Sequence, residues 1–191
     1  TTDANATNFR QDMMADYDAN TEKHLAAAET PDIRAALALD FQRTRNKLSS
    51  QAGAFEAATR AKNERNIYTK NGATAANIVN NTPTDLQLKN SLEGRKRELG
   101  NTSLSARVKD DLYAEEVEKL TYQRYSGGVD LATTDAEVDA LLKARPEASL
   151  SSAGFTRLQS EGDAKKRAFK SEARLSRIEQ NQKEAEARAS M

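Results

Sequence analysis

From Pro31 onward, Ile33, Leu37, Phe41, Leu48, Ala52 and Phe55 recur along one face of a helix, with Phe41, Leu48 and Phe55 on a seven-residue period. A stripe this narrow asks for another helix against it and cannot by itself enclose a broad core. The rest of the chain is under the same constraint. Leu, Ile, Val and Phe supply only 31 of its 191 residues, about 16%, below the roughly 20% at which composition begins to favour disorder. Much of the remaining apolar content is alanine, which buries little area per residue but is the best helix former. With Glu, Lys, Arg, Gln and Leu around it, the composition predicts long helices with thin seams. The expected fold class is therefore all-α, built of long helices and helical hairpins, elongated and with a thin core.

Prolines, glycines and capping residues divide the text. Residues 1–30 form an N-terminal helical segment with Phe9, Met13, Tyr17 and Leu25 at helical spacing. Thr30-Pro31-Asp32 is a helix start, because Thr30 can cap free amides, Pro31 is pre-set for the first helical position and Asp32 suits the dipole. A long helix follows within residues 31–80. A single helix is expected from Pro31 to about Asn71, some 40 residues or roughly 60 Å, where Asn71-Gly72 could stop it although Ala73 to Val79 resumes a helical pattern. Around residues 62–66 the face is polar all round, which fits exposure or contact with a partner chain.

Residues 81–126 read as a helical hairpin. Its first helix starts at Thr82-Pro83 and closes at Gly100-Asn101, and its second begins after Ser103 or Ser105 and ends at Ser126-Gly127-Gly128. A short connection makes the two antiparallel neighbours. Residues 127–191 hold a short helix and a long C-terminal one, completing a single elongated helical domain. Thr134-Asp135-Ala136-Glu137 is a capping box for the short helix, which carries Val138, Leu141 and Leu142 and ends at Arg145-Pro146. Ser151 starts the last helix, bearing Phe155, Leu158 and Phe169. After Leu175 and Ile178 no large apolar residue appears before Met191, so the tail reads as a solvated helix, a fraying end or a lead into further chain. The chain opens on Thr1-Thr2-Asp3, as expected of a processed protein or of part of a longer one. No run alternates with period two for long enough to carry a sheet.

Candidate chemistry is scarce. The 29 basic and 29 acidic residues cancel, and they are intermixed where a nucleic-acid binder would gather a basic face. The dense patches Arg95-Lys96-Arg97 and Lys165-Lys166-Arg167 sit beside acids and read as solvated helix faces. No stretch is long and apolar enough to span a bilayer, and the thin, charge-balanced stripes do not resemble a membrane-surface helix. With no cysteine and His24 as the single histidine, neither a zinc site nor a Ser-His-Asp triad can be assembled, and His24 reads as a surface residue. Glu115, Glu116 and Glu118 lie on a charge-dense helix with no sign of the apolar pocket that raises a catalytic carboxyl pKa. Gly127-Gly128 lacks the Gly-Lys-Ser/Thr continuation of a phosphate loop. Tyr113, Tyr122 and Tyr125 with Arg124 could stack bases or sugars, but their spacing fits packing. No catalytic, cofactor-binding or metal-binding residue is expected, and no cofactor.

The order of features between Pro31 and Phe169 resembles a helical region of internal or ejection proteins in tailed-bacteriophage virions. It is carried by Phe41-Gln42-Arg43 and Phe55-Glu56-Ala57 in an Ala- and Arg-rich helix, then the turn Asn81-Thr82-Pro83-Thr84-Asp85. A helix pair with Leu99 and Arg107-Val108 follows. The last pieces are Val138-Asp139-Ala140-Leu141-Leu142, Arg145-Pro146-Glu147, Leu150-Ser151 and Phe155-x-Arg157-Leu158. The resemblance implies a structural virion component that forms a homo-oligomer and meets other virion proteins such as portal, tail or internal proteins during genome delivery. Its place would be the particle, with delivery into the host cell envelope. The rival readings are a cellular helical adaptor or scaffold that binds its partner through an amphipathic helix, and part of a peptidoglycan hydrolase. The lytic activity found beside this region in related long polypeptides does not carry over, because no catalytic Glu-Ser motif stands here. The residues expected to meet a partner are Ile33, Leu37, Phe41, Leu48 and Phe55.

Overall fold

The computed structural model describes residues 5–144 and 149–189, apart from the side chains of residues 187 and 189, and among these it is all-α. Six helices follow in order: α1 (Phe9–Ala26), α2 (Pro31–Asn81), α3 (Asp85–Gly100), α4 (Ala106–Leu131), α5 (Asp135–Lys143) and α6 (Ser152–Ala189). The chain divides into two compact units. One comprises Thr1–Tyr68 and Thr102–Leu104, the other Thr69–Asn101 and Ser105–Met191.

In the first unit α1 runs antiparallel to α2. Asn63 donates to the Asn5 side chain at 2.7 Å, the Arg10 backbone N–H donates to Glu56 at 2.7 Å, and the Tyr17 hydroxyl donates to the Phe41 carbonyl at 3.0 Å. Arg45 clasps Asp18 with two bonds of 2.6 and 2.8 Å. The Arg45 hydrogen bond holds the Asp18 carboxyl below its ordinary range, against a smaller effect of burial. Met14, Ala52, Tyr68 and Leu104 are the buried apolar residues of this unit. Ser103 donates through both its N–H and its hydroxyl to Glu64, each at 2.8 Å, which fixes the short connection to α2.

Among the described residues the second unit shows two small cores. Ala76 and Val79 of α2 and Leu120 of α4 form one, joined by Leu88 and Leu92 of α3. Tyr125, Val129, Ala132, Val138 and Leu158 form the other, with Leu141, Leu142 and Phe169 against them. α3 and α4 are antiparallel, since Arg124 meets Asp85 at 2.9 Å near one end of the pair and Lys109 reaches the Gly100 carbonyl at 3.4 Å at the other.

Local signals set several boundaries. The Thr30 hydroxyl accepts from the Ile33 N–H at 3.4 Å, and the Ser151 hydroxyl from the Gly154 N–H at 3.1 Å. Both arms of the capping box at Thr134 and Glu137 are present. The Thr133 backbone N–H, the Thr133 hydroxyl and the Thr134 amide and hydroxyl together hold the Glu137 carboxyl below its usual range, with burial opposing. Thr134→Ala is expected to cost about 1 kcal/mol, read by denaturant unfolding. A loss within a few tenths of that of an exposed helical substitution would show that the box adds nothing to α5.

Three expected boundaries move. α2 passes through Gly72 without a break, because Gly72 is where α2 meets the side chains of Arg95 and Glu116. α3 starts at Asp85, two residues later than Pro83, since Thr84 accepts from the Gln87 N–H at 3.1 Å and takes the capping position. α4 runs on through Gly127 and Gly128 to Leu131. Here the glycines serve close packing. An added Cβ on Gly127 would stand 2.2 Å from the Asn80 carbonyl oxygen, so the backbones of α4 and α2 could not approach as they do. The expected stop at Arg145-Pro146 lies outside the described residues.

Candidate interaction surfaces and the buried ion pair

Helical periodicity picks out Ile33, Leu37, Phe41, Leu48 and Phe55, but α1 does not dock squarely on them. The α2 side chains that bond α1 are Arg45, Ser49 and Glu56, which with the buried Ala52 of the stripe form a row at three- and four-residue intervals. α1 is too polar to seek the apolar stripe and attaches by hydrogen bonds and an ion pair. Leu37, Phe41 and Leu48 are consequently half-buried at the edge of that contact. Ile33 remains 49% exposed and Phe55 52%, although the Phe55 ring lies 4.8 Å from that of Phe9. Leu39 and Ile67 on α2 are exposed as well. His24 is exposed, with its ring 6.2 Å from Phe41.

The main site that sequence reasoning misses is a buried ion pair in the second unit. Arg95 and Glu116 are only 4% and 5% exposed, and the Arg95 Nε donates to Glu116 Oε1 at 3.2 Å. Arg95 also donates to Glu98, whose other oxygen accepts from Asn71 at 2.7 Å. A network from α2 through α3 to α4 results. Arg95 was expected on a solvated basic face and Glu116 among exposed acids; the structure corrects both. Lys96 and Arg97, its neighbours in sequence, are exposed. Helical spacing could have flagged Arg95, because Leu88, Leu92, Arg95 and Leu99 share one α3 stripe.

Lys165 and Lys166 also depart from the solvated-face reading. Lys165 donates to the Asp130 carbonyl at 2.7 Å, and Lys166 pairs with Asp139, joining α6 to α4 and α5. That hydrogen bond pulls the Asp139 carboxyl below its ordinary range, partly offset by burial. Arg167 stays exposed.

The tyrosines pack. Tyr125 is buried, and its hydroxyl donates to the Ala144 carbonyl at 2.9 Å, while the Arg124 guanidinium lies 4.7 Å from its ring centre. Tyr122 donates to Glu161, which also accepts from Ser126 at 2.9 Å and faces Arg157 at 3.4 Å. Burial first, then the Glu161 hydrogen bond, pushes the Tyr122 phenol up to about 12. Tyr113 is half-buried under Lys96, whose ammonium is 5.8 Å from the ring centre. Glu118 accepts from the Ser151 N–H at 3.1 Å, and Glu115 is exposed.

Among the described residues no three His, Cys, Asp or Glu side chains gather to hold a metal ion, and no helix is long and apolar enough to cross a membrane. Comparison with known proteins yields no matching family model, no matching curated protein and no matching solved structure.

Proposed function

We propose that this chain is a structural component of a tailed-bacteriophage particle, an internal or ejection protein that works by packing helices against further copies and against other virion proteins during genome delivery. The observation that carries the assembly reading is the open edge of the α2 stripe, where Ile33 and Phe55 stay about half exposed beside an α1 that docks through polar groups. Apolar positions left open along a helix gain stability when a neighbouring chain covers them. The phage setting rests on the resemblance over residues 31–169. The reading gives the chain no catalytic step. Its buried carboxylate, Glu116, is engaged by Arg95 in a manner suited to holding helices together.

Sedimentation of the full chain over a range of concentrations tests the assembly, with a defined multimer expected. Ile33→Asp should lower the assembled mass while leaving unfolding within about 0.5 kcal/mol. Phe41→Asp, at the half-buried edge under α1, should instead lose about 1–3 kcal/mol. A chain that sediments as a monomer throughout would remove the assembly reading. Mass spectrometry of purified particles tests the setting: the chain should be found in them. Its absence from particles while it is present in the infected cell would favour a cellular adaptor, and clearing of a cell-wall zymogram by the chain would favour a hydrolase.

A further inference from the structure

Phe169 is the last residue of α6 that packs against the second core, and every residue from Lys170 to Glu186 is exposed. This free stretch carries a heptad pattern. With Ala168, Leu175 and Gln182 at the first core position (a) and Ser171, Ile178 and Ala185 at the second (d), all three flanking e positions are acids: Glu172, Glu179 and Glu186. The opposite flank, g, is Arg167, Arg174, Asn181 and Arg188. Leu175 and Ile178, the large residues of the seam, are 57% and 43% exposed. None of the flanking Arg and Glu residues forms a salt bridge among the described residues.

The charge pattern selects an orientation. In a parallel coiled coil each g residue faces the e residue of the following heptad on the other helix. Two identical helices in register would set Arg167 against Glu172 and Arg174 against Glu179 on both sides of the seam, with Asn181 against Glu186. In an antiparallel pair e faces e and g faces g, so glutamates would meet glutamates and arginines arginines, which is unfavourable. Gln182 at a core position adds a polar contact that is satisfied best when the copies are aligned.

We infer that the exposed end of α6 is one strand of a parallel, in-register coiled coil, and that its partner is the same segment of a second copy of this chain. The inference deepens the assembly reading and rests on it for the nearness of the copies. The seam holds only two large apolar residues, so its role is to align chains brought together along other surfaces as well.

The absence of cysteine makes single thiols clean probes in the full-length chain. Ser171→Cys and Ala185→Cys each occupy a core position and are separated by about 21 Å of helix. A parallel register places each opposite its own copy, within the Cα separation of ~4.4–6.8 Å that a disulfide needs. Both variants should form disulfide dimers under mild oxidation, and Ala173→Cys, on the outer face, should form few. An antiparallel pairing can bring at most one of the two positions opposite itself. Arg174→Glu should lower the yield at position 185 roughly fivefold, and adding Glu179→Arg should restore it.

Cross-linking at only one core position, or equal yields at 171, 173 and 185, overturns the inference. A multimer by sedimentation that cross-links at neither core position overturns it and leaves the assembly reading standing. A monomer without cross-links removes both.

Discussion

Glu116→Ala is expected to destabilise the protein by about 3–5 kcal/mol, the usual cost of breaking a buried ion pair from one side. The substitution leaves Arg95 deep between helices, bonded to Glu98 but without the acceptor on α4. The converse change, Arg95→Met, should cost a similar amount, because it leaves Glu116 buried with Glu98 near the same point. Replacing both at once, Arg95→Met with Glu116→Leu, should recover most of the loss and even exceed the parent, since two apolar side chains of similar length need no partner. Equilibrium unfolding at one fixed protein concentration separates these outcomes, as assembly adds a concentration-dependent contribution. A single substitution costing under about 1 kcal/mol would mean that water reaches the pair and that its burial carries little weight. Gly72 supplies a second reading of the same place. Its added Cβ would stand 2.6 and 2.8 Å from the two Glu116 carboxylate oxygens. Gly72→Ala should therefore destabilise the parent, and cost less once Glu116 is alanine, when only the Arg95 guanidinium, 3.1 Å from the new Cβ, still opposes the helical gain of up to about 1 kcal/mol.

How much of this was legible in the sequence depends on how local each cause is. Thr30, Thr134 with Glu137, and Ser151 announce helix starts because the amides they cap lie two or three residues away. The all-α class follows from composition and period, which are likewise local. Val138, Leu141 and Leu142 announce a core-facing helix for the same reason. Gly72, Gly127 and Gly128 mislead because their small size answers to Glu116, Asn80 and Leu141, which belong to other helices. The row of α2 that meets α1 is invisible to a hydrophobic period, since Arg45, Ser49 and Glu56 form it. Arg95 is hidden by its neighbours Lys96 and Arg97, which make a buried residue look like one third of a basic patch. What is lost at each of these places is the identity of the opposing element. A periodicity read from one strand of text cannot supply it.

Glycine to alanine at two helical positions is expected to change stability in opposite directions, and the contrast isolates tertiary packing from helix propensity. Gly94 lies inside α3, and nothing comes within 4 Å of the Cβ it would gain. Gly94→Ala should thus stabilise the protein by about 0.5–1 kcal/mol, through the lower backbone entropy of the unfolded chain. Gly127→Ala makes the same chemical change inside α4, where the new methyl would meet Asn80 at 2.2 Å from its carbonyl oxygen, 2.9 Å from its carbonyl carbon and 3.0 Å from its Cα. These are backbone atoms near the end of α2, with no flexible tip to swing aside. Relief requires α2 and α4 to separate, which opens the core made by Val79 and Leu120. A net loss of about 2–3 kcal/mol is expected, the overpacking penalty less the helical gain. Thermal and denaturant unfolding of the two variants against the parent decide the matter. If Gly127→Ala gained stability as Gly94→Ala does, α4 would not lie against the end of α2, and the glycine pair would be the helix stop that its sequence suggests.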